Sequence, residues 1–372
     1  MNPTKTILIM AGGTGGHIMP GLAVAQVLTD AGHRVVWLGG AGSVDNPSME
    51  SRLVPQYGYE FNSVAFGGVR GKGLSTKLLA PLRLLKALVQ TRKVYQKVRP
   101  DVVLGMGGYI TVPGGLTAKL TGIPIVLHEQ NSIAGMSNQL LAKIARRVLT
   151  GFPDVFAQGE WVGNPVKQVI AEIAEPSMRF AGRNGKLKLA VIGGSLGAQA
   201  LNDVVPKALA LLDADVRPEV VHQSGEKQIE QLRANYTQAG VAADCRAFVD
   251  DMAKLYGEVD LVICRAGAMT VAELASAGVA SVLVPFPHAV DDHQTTNAQL
   301  LVTAGAGVLM AQNELSAEKL ADYLRGLTRE QLLAQAVSAR SVAKPNATAD
   351  VANVCLTVAG AKILNANVES EL

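Results

Sequence analysis

Short aliphatic runs alternate with longer amphipathic ones along most of this chain. Thr6–Met10, Val35–Leu38, Val102–Leu104, Ile125–Leu127 and Val148–Leu149 are short β-branched, apolar runs, which predicts strands. Between them, Ile18–Ala31 and Asn138–Ala145 carry apolar residues at helical spacing. Strands alternating with helices predict parallel sheets built of βαβ units. The pattern then restarts. "LKLAVIGGSLGAQALNDVVPKALALL" (Leu187–Leu212) echoes "ILIMAGGTGGHIMPGLAVAQVL" (Ile7–Leu28), and strands are predicted again over Pro218–His222, Cys245–Val249, Leu261–Cys264 and Ser281–Val284. The expectation is an α/β protein of two doubly wound, Rossmann-like domains facing a cleft, joined within Asn164–Lys186. Ligands of such sheets sit at the carboxyl ends of the strands.

Composition narrows this picture. The 372 residues are 48% hydrophobic but only 4% aromatic, so the cores should be aliphatic. A net charge of +3 is too small to argue for nucleic acid. Cys245, Cys264 and Cys355 share no short spacing, so neither a zinc site nor a disulfide framework is expected, which fits a reducing cytoplasm. The apolar stretch in "MNPTKTILIM" is too short for a signal peptide. Uncharged runs such as Leu274–Val290 are broken by Gly and Pro, so no membrane span is expected.

Four of the five residues Gly12–Gly16 are glycine, and His17 follows at once. Glycine at a strand-to-helix turn lets backbone approach a ligand, and the helix N-terminus suits an anion. The G-x-G-x-x-G fingerprint fails at Gly13 and at Gly193, and no G-K-[ST] follows, so a P-loop is excluded. A tight turn without a ligand stays open for one such loop; two in corresponding places argue against it. A third cluster, "LGMGGYITVPGG" (Leu104–Gly115), precedes "IPIVLHEQNSIAG" (Ile123–Gly135), where His128, Glu129, Gln130 and Asn131 crowd a strand end. In "CRAGAMTVAELASAG" (Cys264–Gly278), Glu273 either complements a helix dipole or takes the hydroxyls of a ribose. "VPFPHAVDDHQTTNA" (Val284–Ala298) supplies Asp291, Asp292, His293, Gln294 and Asn297, suited to sugar hydroxyls; a metal reading of the first three competes with ordinary solvation.

"AGGTGGHIMPGLAVA", "GVRGKG", "PDVVLGMGGY", "LHEQNSIAG", "VGNPV", "IGGSLGA", "FVDDM" and "CRAGAMTVAE" occur in order from the first strand to about Ala298. Together they resemble the MurG family, the undecaprenyl-diphospho-muramoylpentapeptide β-N-acetylglucosaminyltransferases of bacterial peptidoglycan synthesis. The resemblance implies the GT-B fold, with an acceptor and membrane-facing domain over 1–166, a UDP-GlcNAc domain over 167–344, and a helical segment, 345–372, crossing back to the first. It implies inverting transfer of N-acetylglucosamine from UDP-GlcNAc to the muramoyl 4-hydroxyl of lipid I, with no obligatory metal or cofactor. The family's donor contacts fall on Thr14, Gly15, Gly16 and Asn131, and on Ser195 at the diphosphate. They continue on Val249 beside the uracil, on Ala268, Met269, Thr270, Val271, Ala272 and Glu273 around the nucleotide, and on Gln294 at the sugar. Two departures stand out. Lys167 follows "GNPV" where the family commonly has Arg, which keeps charge but loses the planar fork. Leu196 replaces a common Gln or Arg.

Inverting transfer needs a base on the attacking hydroxyl and stabilisation of the departing diphosphate. The positive helix end disfavours imidazolium, so His17 suits the first role, with Glu129 and His128 as rivals. A hydrogen bond that merely holds the loop is the other role open to His17. The second loop, Gly193–Gly197, suits the diphosphate. Phe61–Pro100 contains nine Lys and Arg, among them Lys77 and Arg83, and no Asp or Glu. Its helical stripe Leu78, Leu82, Leu85 and Val89 is expected to face the core, leaving Leu84 and Leu88 beside Lys77 unexplained. Either the core face is wide and the basic side solvated, or the segment docks on an anionic inner-leaflet surface, as the peripheral family implies. A sugar-nucleotide epimerase of the same fold and a non-catalytic membrane-associated nucleotide-binding protein are the alternatives.

Overall fold

The computed structural model describes residues 4–43, 46–67, 79–194 and 197–364, which form two compact units, Met1–Lys167 with Asn346–Leu372 and Gln168–Pro345. Ser195, Leu196, Lys72, Lys77 and Leu78 lie outside the described residues.

The first unit is a parallel sheet of β1 (Thr6–Ala11), β2 (Arg34–Gly40), β3 (Glu60–Val64), β4 (Val102–Gly107), β5 (Ile125–Glu129), β6 (Arg147–Thr150) and β7 (Glu160–Trp161). Their order is β3-β2-β1-β4-β5-β6-β7, so the order reverses between β1 and β4. The helices that bear on function are α1 (Gly15–Asp30), α2 (Met49–Gln56), α3 (Ala80–Val98), α4 (Thr111–Thr121) and α5 (Met136–Ala142). Alternate residues of β1 explain its unbroken apolarity. Ile7 and Ile9 pack with the α1 side chains Ile18, Leu22 and Leu28, whereas Leu8 and Met10 pack with Ala87, Tyr95 and Ala118 on the opposite face.

The second unit repeats the plan with β8 (Lys188–Ile192), β9 (Glu219–Gln223), β10 (Asp244–Arg246), β11 (Leu261–Cys264), β12 (Ala280–Leu283) and β13 (Gly307–Leu309), in the order β10-β9-β8-β11-β12-β13 and all parallel. Its numbered helices are α6 (Gln199–Ala210), α7 (Ile229–Ala239), α8 (Met252–Glu258), α9 (Ala268–Ala277) and α10 (His293–Thr303). The last helix, α11 (Ala347–Val358), returns to the first unit, where Val351, Ala352, Cys355 and Leu356 enter the core beside α1. Thr348 Oγ1 ties it to the Val166 carbonyl at 2.9 Å.

Helix α3 corrects the expected stripe. Ala87, Thr91, Tyr95 and Val98 face inward, with Leu84 and Leu88 half-buried beside them. Leu82, Leu85 and Val89 are 70%, 60% and 52% exposed. Both arcs have helical spacing, so period alone does not choose between them. The Tyr95 hydroxyl decides, donating to the Gly114 carbonyl at 2.9 Å under α4. Leu84 and Leu88 thus flank the core, and the exposed apolar residues are the ones assigned to it.

Candidate active site

The first glycine loop leaves β1 at the point where the strand order reverses, where ligands of such sheets bind. Gly13 has φ +91°, a conformation that glycine alone takes without strain, and Thr14 caps α1 through extended backbone without a side-chain cap bond. Gly15 and Gly16 open α1, leaving an N-terminus suited to an anion. His17, in the first turn of α1, is half-buried. Its Nδ1 lies 3.2 Å from the Gly12 carbonyl oxygen and 3.2 Å from Thr14 Oγ1. A carbonyl only accepts, so Nδ1 carries the proton and Nε2 is the basic nitrogen of the neutral ring. The Nε2–Cδ2 edge lies over Gly107 (φ +108°), where a Cβ would come within 2.9 Å of it.

The rival bases sit differently. His128 is fully buried; its Nε2–H donates to the Gly163 carbonyl at 2.8 Å and its Nδ1 accepts from Gln130 Nε2 at 3.0 Å. Burial pulls its pKa down to about 4, against smaller opposing effects of the Gly163 bond and Glu129. Glu129 is buried too. Its Oε1 accepts from Asn131 N (3.0 Å) and Nδ2 (3.3 Å), and its Oε2 from Gly135 N (3.0 Å) and Asn138 Nδ2 (2.8 Å). Both side chains brace the loop that presents half-buried Asn131.

In the second unit, the loop after β8 runs through Gly193 and Gly194 (φ +81°) to Gly197 (φ +76°), and α6 begins without a side-chain cap. A side chain at Gly197 would run into the Ser224 carbonyl. Gln223 Nε2 holds the Gly194 carbonyl at 2.9 Å. Beneath it, Asn202 Nδ2 donates to Gln228 Oε1 (2.7 Å), so its Oδ1 accepts from His222 Nε2–H (3.0 Å), and the Tyr236 hydroxyl donates to His222 Nδ1 (2.9 Å). Burial pushes the His222 pKa down to about 3. The ring is a neutral strut under the loop.

After β11, Gly267 caps α9 with no side-chain bond, and Ala268–Glu273 form its first two turns. Glu273 is half-buried, and its Oε2 accepts from the Tyr256 hydroxyl at 3.1 Å. Arg265 braces the neighbouring loop through the carbonyls of Val284 and Pro285 (3.1 Å each) and Gln312 Oε1 (2.6 Å). Gln294 Oε1 accepts from Phe286 N at 2.9 Å. Strand β10 stops at Arg246, earlier than expected, so Val249 lies in the loop beyond it, its side chain buried. Lys167 is exposed at the point where the chain leaves the first unit for the second. Asp291 and Asp292 both have positive φ, Asp292 Oδ1 accepts from Thr295 Oγ1 at 2.7 Å, and no described residues group three or more His, Cys, Asp or Glu for a metal.

Sequence reasoning missed Glu50, Tyr109, His222, Gln223 and Tyr256. Glu50 in a first helical turn has an ordinary dipole explanation, Tyr109 belongs to a cluster noticed for its glycines, and the others sit in unremarkable runs, so only the tertiary contacts single out these side chains.

Comparison with known proteins bears on this geometry. Residues 7–150 match the glycosyltransferase family 28 N-terminal domain and residues 188–354 its C-terminal domain. The chain is 59% identical over 357 residues to the UDP-N-acetylglucosamine--N-acetylmuramyl-(pentapeptide) pyrophosphoryl-undecaprenol N-acetylglucosamine transferase of Dechloromonas aromatica, covering 96% of this chain and 99% of that one. It is 57% identical to the protein of that name from Burkholderia thailandensis, covering 96% and 98%. The crystal structure of Acinetobacter baumannii MurG superposes with a TM-score of 0.83 at 40% identity, over 95% of this chain and 99% of that one. The two Rossmann-like units are those of a GT-B glycosyltransferase, and the chain belongs to glycosyltransferase family 28 and, within it, to the MurG family.

Proposed function

We infer that this protein transfers N-acetylglucosamine from UDP-GlcNAc to the muramoyl 4-hydroxyl of lipid I, making lipid II for peptidoglycan. The observation that carries it is near-full-length identity of 59% to a transferase of that name. The site chemistry supports it. His17 Nε2 takes the proton from the acceptor hydroxyl as that oxygen attacks the anomeric carbon. The bond from that carbon to the diphosphate oxygen breaks on the opposite face, so the configuration inverts and UDP leaves with the electron pair. The uncapped start of α6 supplies N–H groups and positive potential for the developing charge, and the family resemblance assigns Ser195 to the same diphosphate. Glu273 accepts hydrogen bonds from the ribose hydroxyls, and Ala268–Ala272 carry the nucleotide at the start of α9. Thr14, Gly15, Gly16, Asn131 and Gln294 contact the donor sugar, and Val249 offers backbone to the uracil. Lys167 supplies a point charge to donor phosphate or sugar.

The acceptor carries a lipid, and α3 suits a membrane surface. Leu82, Leu85 and Val89 are exposed beside exposed Arg83, Lys86, Arg92 and Lys93, on a helix without an acidic residue. No helix among the described residues is long and apolar enough to cross a membrane. The exposed basic and apolar face of α3, with the resemblance to a peripheral family, supports a peripheral place on the cytoplasmic leaflet.

Labelled UDP-GlcNAc incubated with a lipid I analogue should give a β-linked disaccharide and UDP in equal amounts. UDP-N-acetylmannosamine formed without acceptor would instead mean an epimerase, and UDP binding without either product a non-catalytic protein.

A further inference from the structure

Nothing in the reaction above uses Glu50, yet its carboxylate is fully buried where three strand-end loops of the first unit meet. The short helix α2 carries it there. Oε2 accepts from the backbone N–H of Gly13, after β1, at 3.2 Å. Oε1 accepts from the N–H of Gly40, at the end of β2, at 3.2 Å, and from the hydroxyl of Tyr109, after β4, at 3.3 Å. Burial, and next the adjacent carboxylate, push the Tyr109 pKa up to about 12, which keeps the phenol a donor. The backbone makes room for this group: a Cβ on Gly39 would stand 2.8 Å from Glu50 Cγ, and one on Gly12 would stand 2.5 Å from Oε1. A buried carboxylate is costly unless its oxygens are satisfied. Here three neutral donors from three loops satisfy them.

One of those donors leads to the base. The N–H of Gly13 and the C=O of Gly12 belong to a single trans peptide unit and point to opposite sides of one rigid plane. Glu50 grips that plane by its N–H, and the Gly12 carbonyl on the other side accepts Nδ1–H of His17 at 3.2 Å. We propose that Glu50 is a positioning residue for glycosyl transfer, acting through the Gly12–Gly13 peptide plane to hold the His17 ring with Nε2 as its basic nitrogen. This rests on the assignment of His17 as the base. The carboxylate does not touch substrate; it fixes the plane, and the plane fixes tautomer and ring orientation.

Glu50→Gln tests the relay. An amide has one acceptor oxygen and one donor nitrogen, so whichever way it turns, one backbone N–H faces another donor. The variant should melt within a few degrees of wild type and keep its UDP affinity and KM for UDP-GlcNAc, while kcat falls about 10–100-fold, the scale expected for a misplaced catalytic group. Because Glu50 acts through the ring, adding Glu50→Gln to His17→Ala should cost less than about twofold more, as groups that work as a unit are not additive. Wild-type kcat in Glu50→Gln, or an equal loss in the His17→Ala background, would overturn the relay. If His17→Ala itself turns over like wild type, the base assignment fails instead. Nitrogen-15 NMR of the wild-type ring at neutral pH gives a readout that needs no variant. The relay predicts the Nδ1–H tautomer at His17, and an Nε2–H tautomer would overturn it.

Discussion

Glu273 and Tyr256 carry the donor site's most specific residue-scale claim. The Tyr256 hydroxyl donates to Oε2 of Glu273 at 3.1 Å, fixing a carboxylate for which we propose a contact to the ribose. Glu273→Ala should weaken UDP binding by about 2–4 kcal/mol, since ribose hydroxyls would be left without a charged acceptor. Calorimetry on a folded variant checks this; unchanged affinity would remove Glu273 from the ribose. The sequence offered Glu273 either a helix dipole or the hydroxyls of a ribose, and only the resemblance to the MurG family favours the ribose. His128 and Glu129 were legible only as a polar pair at a strand end. In a parallel strand buried on both faces, neighbouring side chains point to opposite sides. Each therefore meets its own interior partners, Gly163 and Gln130 for the ring, Asn131, Gly135 and Asn138 for the carboxylate. Glu50 was illegible, because the donors that define it come from three separated loops.

At the scale of elements, α3 carries the membrane proposal. Arg83→Glu with Lys86→Glu, or Leu82→Ser with Leu85→Ser, should reduce binding to anionic vesicles while activity on a soluble acceptor analogue survives. The basic contribution is about 1 kcal/mol per residue and fades with salt. Leu84→Ser with Leu88→Ser should instead lower the melting temperature, since those side chains flank the buried face. Vesicle binding untouched by either of the first two pairs would leave α3 a solvated face. The segment's basicity was plain from sequence, but its orientation was not. Ala87 and Thr91 are small and attract no notice in an apolar pattern, yet their size lets α3 approach the layer beneath, while Leu82, Leu85 and Val89 remain outside. Most strands were read where the run is apolar, and the exposed edge strand β10, read over Cys245–Val249, runs over Asp244–Arg246. β3 (Glu60–Val64), with its half-buried polar residues, and the three-residue β13 (Gly307–Leu309) gave no such run.

His128 in the first unit and His222 in the second are fully buried, and burial holds their pKa values down, at about 4 and about 3. Unfolded, both rings titrate near 6.5. Below that pH the unfolded chain binds protons that the folded one refuses, so stability is full above about pH 6.5 and falls with pH toward the folded values. The loss is about 2 kcal/mol per ring by pH 5. Melting measured from pH 7 to pH 5 should decline, and His222→Gln should flatten the part contributed by the second unit. A melting temperature independent of pH over this range would contradict it. We assign proton transfer to His17 in the first unit and nucleotide binding to Glu273 and Ala268–Ala272 in the second. His17→Ala tests that division most directly, with UDP affinity by calorimetry and acceptor-dependent UDP release measured on one preparation. Affinity should match wild type, turnover should fall by about 10²–10⁴-fold, and the acid limb of the pH–rate profile should vanish with the ring. Turnover kept near wild type with the same acid limb would contradict the account, as would affinity and turnover falling together.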